Sequence, residues 1–220
     1  MLLITFEGID GSGKSTQARR LDERLREHGA NTLLVRDPGG TELSEAVREL
    51  LLRREERVNA MAELLLFSAA RAQLVAERVR PALDAGRIVL CDRFYDSTTA
   101  YQGAGRSVAD PDWLRGLHER VTEGLVPDRT YLVELDPAEA QERRSASGVP
   151  DDRMEQSADG FYERVQQAYA ALAEAEPNRF VRLDGTQSIE TLHARVWDDV
   201  TALIDTRRGT PFSGDGSSVS

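Results

Sequence analysis

Leu2 to Gln17 reads LLITFEGIDGSGKSTQ, and this stretch decides the fold. Leu2, Leu3, Ile4 and Phe6 have the apolar and β-branched character of a buried strand, and Gly8, Gly11 and Gly13 let the following turn bend back and approach a ligand closely. The spacing Gly8-x4-Gly13-Lys14-Ser15 matches G-x-x-x-x-G-K-[ST] in full. Between such a strand and a helix, backbone N–H groups from about Gly11 to Ser15 point inward at a helix start, where unpaired donors and the macrodipole favour an anion. The stretch from Gly8 through Ile9, Asp10, Gly11, Ser12, Gly13, Lys14 and Ser15 to Thr16 is therefore the candidate cradle for the phosphates of a nucleotide. Lys14 places a point charge on the β- and γ-phosphates, and the Ser15 hydroxyl is a candidate ligand for a bridging Mg²⁺.

Working outward, strands alternate with helices and no hairpin signal separates them. Strands are expected at Asn31–Val35, Arg87–Cys91, Tyr131–Leu135 and Phe180–Leu183, making five with the first. Helices are expected over Ser15–His28 (stopped by Gly29), behind the Asp37-Pro38-Gly39-Gly40-Thr41 turn, over about 60–85 with a bend or restart near Pro81, and after Asp110-Pro111, Asp136-Pro137, Phe161 and Ser188. Residues 94–109 are polar and glycine-containing, and Arg144–Met154 reads as a mobile loop over a site. This is an α/β protein: a five-stranded parallel sheet flanked by helices on both faces. One domain over residues 1–205 is expected, with a lid at about 143–156 and a tail at 206–220 that is disordered by composition.

With 28 basic and 38 acidic residues the net charge is −10, which argues against a nucleic-acid groove. Cys91 is the only cysteine, so no disulfide framework exists within one chain, and an intracellular compartment is expected. No apolar run approaches the ~18 residues of a membrane helix, and the first residues lack the order of a signal peptide, so the expected location is the cytoplasm, with no membrane partner. His28, His118 and His193 show neither metal nor triad spacing and read as structural; Cys91 reads as a small buried hydrophobe.

Phosphate binding alone leaves a switch, a motor and a transfer enzyme open. The chain has no Asn-Lys-x-Asp base reader, and its third strand ends in Asp92-Arg93 where a motor has Asp-Glu. An arginine there stabilises a transferring phosphoryl group but cannot act as a base for water. Asp92 is a candidate for orienting magnesium-bound water, and Arg93 for bridging donor and acceptor phosphates. Phe67 and Arg71 share one helix face, where a base could stack and be hydrogen-bonded, although alone a helical Phe reads as core and an Arg as solvated.

From about Leu3 to Asp205 the sequence resembles the thymidylate kinases, on Phe6–Thr16 (FEGIDGSGKST), Arg36–Thr41 (RDPGGT), Leu66–Leu74 (LFSAARAQL), Asp92-Arg93-Phe94 with Ser97–Gly103 (STTAYQG), and Asp152–Glu155 (DRME). The resemblance implies the nucleoside monophosphate kinase fold with its phosphate-binding P-loop, ATP-dependent phosphorylation of dTMP to dTDP with Mg²⁺, and a homodimer. It implies that Phe67 stacks on thymine, that Arg71 hydrogen-bonds it, and that Thr98 and Thr99 lie near the base edge. Tyr101 would stand where a ribose 2′-hydroxyl would go, with Ser97 and Gln102 also lining the acceptor site. Arg93 would hold the acceptor phosphate. Asp10 would help position phosphate or metal, and Arg36 with Pro38 would complete the pocket. The phosphate loop has no basic residue at Asp10-Gly11-Ser12, so the catalytic lid arginine would be Arg143, Arg144 or Arg153. Asp37 departs from the usual pattern of the family, Glu before Pro-Gly-Gly. The alternatives carried forward are another nucleoside or nucleoside-monophosphate kinase of this class, and a nucleotide-dependent switch.

Overall fold

A computed structural model describes residues 1–52, 58–147, 160–209 and 212. Five strands, β1 (Leu2–Glu7), β2 (Thr32–Arg36), β3 (Ile88–Asp92), β4 (Arg129–Glu134) and β5 (Phe180–Asp184), form one parallel sheet in the order β2-β3-β1-β4-β5. The chain crosses from β3 over β1 to β4, so the topology reverses at the carboxyl end of β1. A crevice opens at such a point.

Nine α-helices among the described residues connect and cover the strands: α1 (Lys14–Glu27), α2 (Glu42–Leu52), α3 (Ala60–Leu74), α4 (Arg80–Asp84), α5 (Tyr95–Thr98), α6 (Pro111–Val121), α7 (Pro137–Ser147), α8 (Phe161–Ala175) and α9 (Ile189–Arg208). Period-two alternation assigns the faces. Leu2, Ile4 and Phe6 pack with Leu21 and Leu25 of α1 and with Val196 and Val200 of α9. Leu3 packs on the other face, with Val35, Val89 and Cys91 against Leu74, Val75 and Val79. Cys91 is fully buried there, which pushes its thiol up.

Several helix starts follow from their caps. Asp110 Oδ1 accepts from Trp113 N at 2.9 Å, Asp136 Oδ1 from Ala138 N at 2.8 Å, and Ser188 Oγ from Thr191 N at 3.1 Å.

Four regions correct or extend the expectations. The restart expected near Pro81 is observed, α4 beginning at Arg80 with Pro81 in its first turn, and a π-helical turn over Val75–Val79 separates it from α3. Residues 95–105 are helical, α5 running into a second π-helical stretch at Thr99–Gly105; Ser97, Thr98 and Gln102 are buried there, because their polar atoms face the site and not water. Arg144–Ser147, read as loop, continues α7, and the rest of the lid expected at 143–156 lies outside the described residues. The tail expected from 206 is ordered at its start. α9 runs to Arg208, Gly209 ends it at φ 70°, and Phe212 is buried with its ring 6.3 Å from Trp197 and 6.5 Å from His28.

Candidate active site

The site grows from the carboxyl ends of β1 and β3. Gly8, Gly11 and Gly13 have φ of 137°, 88° and 97°, in the left-handed half of conformational space. Side chains are also excluded by contact at two of them: a Cβ on Gly8 would collide with Val133 O, and one on Gly11 would lie 2.5 Å from Ala140 O. Ser12 N donates to Ile9 O at 3.2 Å and Thr16 N to Gly13 O at 3.1 Å, so these two amides close the turn. Lys14 and Ser15, in the first helical turn, have amides without an intrahelical acceptor. Ser12 Oγ is buried without a hydrogen-bond partner, as a group aimed at a ligand would be.

Lys14 Nζ donates to Asp10 Oδ1 at 2.9 Å and to Ile9 O at 3.4 Å. The same Asp10 oxygen accepts from Arg93 Nη2 at 2.8 Å. Burial works to raise the Asp10 carboxyl, but Arg93 and then Lys14 outweigh it and hold it well below the usual carboxylate range. Asp10 is thereby committed to two cations. Arg93 has φ 71°, outside the range a side chain ordinarily adopts. Its Nη1 donates to Ser97 Oγ at 3.0 Å and Tyr169 Oη at 3.4 Å, its Nη2 donates also to Tyr101 Oη at 3.1 Å, and the guanidinium carbon lies 4.9 Å from the Tyr101 ring centre.

Two cavities meet at this cluster. The larger, of about 490 Å³, is lined by Lys14, Ser15, Asp92 and Arg36 among others. The smaller, of about 100 Å³, is lined by Phe67, Arg71, Thr98, Tyr101, Gln102 and Pro38 among others. Asp10, Arg48 and Arg93 line both. Arg36 is exposed and pairs with Glu45 at 3.3 Å on the rim.

In the smaller cavity Arg71 is 1 % exposed, and its Nε donates to Asp37 Oδ2 at 2.5 Å. Burial raises the Asp37 carboxyl above its ordinary value, and Arg71 offsets only part of that rise. Arg71 Nη1 and Thr98 Oγ1 are buried without partners in a cavity that also exposes the Phe67 ring, a stacking face beside a donor and a hydroxyl. Gln102 Nε2 donates to buried Glu63 at 2.9 Å. Thr99 does not join them: its Oγ1 meets His118 Nε2 at 2.9 Å, and it lines a separate apolar cavity with Leu114 and Leu172. On a helix the residue after Thr98 is turned by about 100°, which removes it from the base edge.

The lid candidates also separate. Arg144 Nη1 donates to Asp10 O at 2.9 Å, placing Arg144 over the phosphate loop. Arg143 reaches instead to Gly185 O at 2.9 Å and Glu139 at 2.6 Å. Arg153 lies outside the described residues. Asp92 Oδ1 is buried without a partner, and Asp92 lines the larger cavity together with Ser15.

Sequence reasoning missed Arg48, Tyr169 and Glu7. Arg48 donates to Pro38 O at 3.3 Å and bridges the two cavities; its place on the inner side of α2, behind the Pro38-Gly39-Gly40 turn, was the available signal. Tyr169 and Glu7 meet across 162 residues of chain, and no local pattern announces that contact.

A P-loop, a parallel 2-3-1-4-5 sheet and an arginine-rich second cavity define a phosphotransferase of the nucleoside monophosphate kinase class. The family model described as thymidylate kinase matches residues 6–196. A thymidylate kinase of Chlorobium chlorochromatii is 46% identical over 216 residues, covering 92% of this chain and 96% of that protein. One from Deinococcus radiodurans is 48% identical over 200 residues, covering 91% and 96%. The crystal structure of thymidylate kinase from Ehrlichia chaffeensis superimposes with a TM-score of 0.73 at 34% identity, covering 90% of this chain and 98% of that one. The chain belongs to the thymidylate kinase family.

Proposed function

We propose that this protein transfers the γ-phosphoryl group of ATP to dTMP, giving ADP and dTDP on the route to dTTP. The observation that carries this reading is the pair of cavities that share Asp10, Arg48 and Arg93, one built on the phosphate loop and the other holding unpartnered Arg71 Nη1 and Thr98 Oγ1 beside the Phe67 ring. Family membership names the substrates.

In this reading thymine stacks on Phe67 and meets Arg71 and Thr98, while Tyr101 crowds the sugar. Arg93 and Arg48 take the acceptor phosphate. One of its oxygens, already anionic at neutral pH, attacks the γ-phosphorus as the bond to the bridging β-phosphate oxygen breaks, so no strong base is needed. Lys14, Arg93 and Arg144 neutralise the charge on the transferring group, and catalysis is positioning plus electrostatics. Mg²⁺ fits the residues present: Ser15 and Asp92 would hold it, and when bound it supplies charge neutralisation on the nucleotide. No group of three His, Cys, Asp or Glu among the described residues could hold a bare metal, in keeping with an ion whose remaining ligands are phosphate oxygens and water.

We also infer a cytoplasmic homodimer. Leu43, Met61, Leu65 and Trp113 are 50%, 37%, 48% and 44% exposed on the packed helices α2, α3 and α6, an apolar surface suited to a second copy. No helix among the described residues is long and apolar enough to cross a membrane.

The test is ADP release with Mg²⁺ and ATP across dTMP, dUMP, UMP, dCMP, AMP and GMP, with a no-acceptor control. The thymine methyl contributes only ~1–3 kcal/mol, so dUMP follows dTMP and UMP is nearly silent. Turnover led by another acceptor overturns the base pocket. Release that is equal without acceptor overturns transfer altogether.

A further inference from the structure

On β1, Leu3 and Glu7 lie on the same face by alternation, and Glu7 is fully buried. Its carboxylate is held by neutral donors: Oε1 accepts from Phe94 N at 2.7 Å, and Oε2 from Ser97 Oγ at 2.6 Å and Tyr169 Oη at 2.8 Å. Burial first, and the Asp96 carboxylate second, push Glu7 up to about 7, against the pull of Arg93. A buried carboxylate without a directly bonded cation is costly to keep.

The contacts show what this carboxylate does. In its ionised form Glu7 can only accept, so Ser97 and Tyr169, whose hydroxyls also lie 2.9 Å from each other, can both turn their protons to its Oε2 and leave lone pairs on their other side. That side is Arg93 Nη1, 3.0 Å from Ser97 Oγ and 3.4 Å from Tyr169 Oη. Glu7 also grips the backbone. Arg93 N donates to Phe6 O at 3.0 Å and Phe94 N to Glu7, so β1 fastens the amides of the left-handed Arg93 and of the residue after it. With Nη1 held from behind, Nη2 faces Asp10 at the phosphate loop.

We propose that Glu7 is a positioning residue for phosphoryl transfer, acting through Phe94 N, Ser97 and Tyr169 to hold the strained Arg93 backbone and to set the hydroxyl polarity that aims the Arg93 guanidinium. The proposal rests on the reading of Arg93 as the residue on the acceptor phosphate. Glu7→Gln is the incisive change. Whichever way the amide is turned, its NH₂ group faces either the Phe94 N–H, whose contact is lost, or the two hydroxyls, which must then turn their protons away from residue 7.

The experiment is a double-variant cycle on the full chain: parent, Glu7→Gln, Arg93→Ala and the combination, each checked for folding by circular dichroism and thermal unfolding. Glu7→Gln is expected to lower kcat about 10- to 100-fold, as a misplaced catalytic group does, with KM for ATP nearly unchanged. In the Arg93→Ala background the same change is expected to cost nothing further in kcat. A Glu7→Gln enzyme with parental kcat, or one whose loss multiplies that of Arg93→Ala, overturns the positioning role while leaving Arg93 in place. Parental kcat in Arg93→Ala overturns the reading of Arg93 and the proposal with it. Should Glu7→Gln fail to fold, Tyr169→Phe carries the same cycle. Losing one hydroxyl is expected to lower kcat about fivefold in the parent, and not at all once Arg93 is gone; a parental kcat, or an equal loss in both backgrounds, overturns the proposal.

Discussion

Asp37→Asn should separate what holds the base pocket together from what reads the base. The Asp37 and Arg71 side chains are 0% and 1% exposed and meet at 2.5 Å, so the change leaves an arginine charge in the core without its counter-ion. Removing one partner of such a pair costs about 3–5 kcal/mol. At about 2–4 °C per kcal/mol for a chain of this size, the midpoint should fall by about 6–20 °C. The loss also reaches the substrate, because Asp37 takes the Nε of Arg71 and thereby presents Nη1 to the cavity. A loosened donor to the base weakens binding by roughly 1.5 kcal/mol or more, so KM for dTMP should rise at least about tenfold while KM for ATP stays put. The assay is thermal unfolding of parent and variant, followed by kinetics at a temperature where both are folded. Asp37→Glu, which keeps the carboxylate one methylene further out, should retain most of both properties. The double change Asp37→Leu with Arg71→Met removes the charges together, and should recover much of the midpoint without recovering dTMP affinity. An Asp37→Asn protein that melts with the parent would refute the energetic argument. One that melts early but keeps its KM for dTMP would refute the role given to Arg71.

Lys14→Ala should fold normally, since its partners are Asp10 and the local Ile9 carbonyl, and should lose about 10²–10³-fold in kcat; unchanged turnover in a folded variant removes Lys14 from the mechanism. Arg144→Ala should lower kcat by a comparable ~10²-fold factor because this side chain lies on the phosphate loop. Arg143→Ala, whose partners are Gly185 and a surface Glu139, should change kcat by no more than about twofold, and the reverse order would reassign the lid cation. His118 gives a pH dependence of stability. Burial, and then Arg71, lower it to about 3, so the folded state takes up its proton far less readily than the unfolded chain does. A depressed histidine stabilises above its unfolded value near 6.5, and that contribution is lost as pH falls towards 3; by pH 5 the loss is about 2 kcal/mol. Urea unfolding at pH 7.5 and pH 5 should show this slope in the parent and not in His118→Gln, and an equal slope in both would exclude His118 as its source.

The phosphate loop was legible because its chemistry is contiguous: glycines, lysine and serine act within eight residues, and their order is their geometry. The five-stranded parallel sheet followed from alternating elements, as did the place of Asp92 and Arg93 at a strand end, whereas the strand order came only from the structure. The base pocket was legible only in part. Phe67 and Arg71 share a helix face by spacing, but nothing local distinguishes an arginine that meets a buried aspartate 34 residues away from one in water. The helix over 95–105 was hidden for the same reason. Ser97 and Gln102 look like surface residues until Glu7 and Glu63, 90 and 39 residues distant, supply their partners. Neighbouring Thr98 and Thr99 are chemically identical in sequence, and only the helix rotation sends one to the site and the other to His118.

These failures share a place as well as a cause. Glu7, Asp37, Glu63, Arg71 and Gln102 are polar residues buried where composition predicts apolar ones, and Arg93 is a non-glycine residue at φ 71°. Five of the six adjoin the crevice between the carboxyl ends of β1 and β3, and Glu63 backs it through Gln102. A chain selected for stability alone would fill that layer with the leucine and valine it uses beneath the rest of the sheet. The violations therefore mark the part of the fold where stability is given up for geometry. By that criterion Glu7 belongs with the site and not with the core: Leu3 on the same face of β1 lies in an apolar layer, whereas the Glu7 carboxylate lies within hydrogen-bonding distance of both hydroxyls that hold Arg93 Nη1.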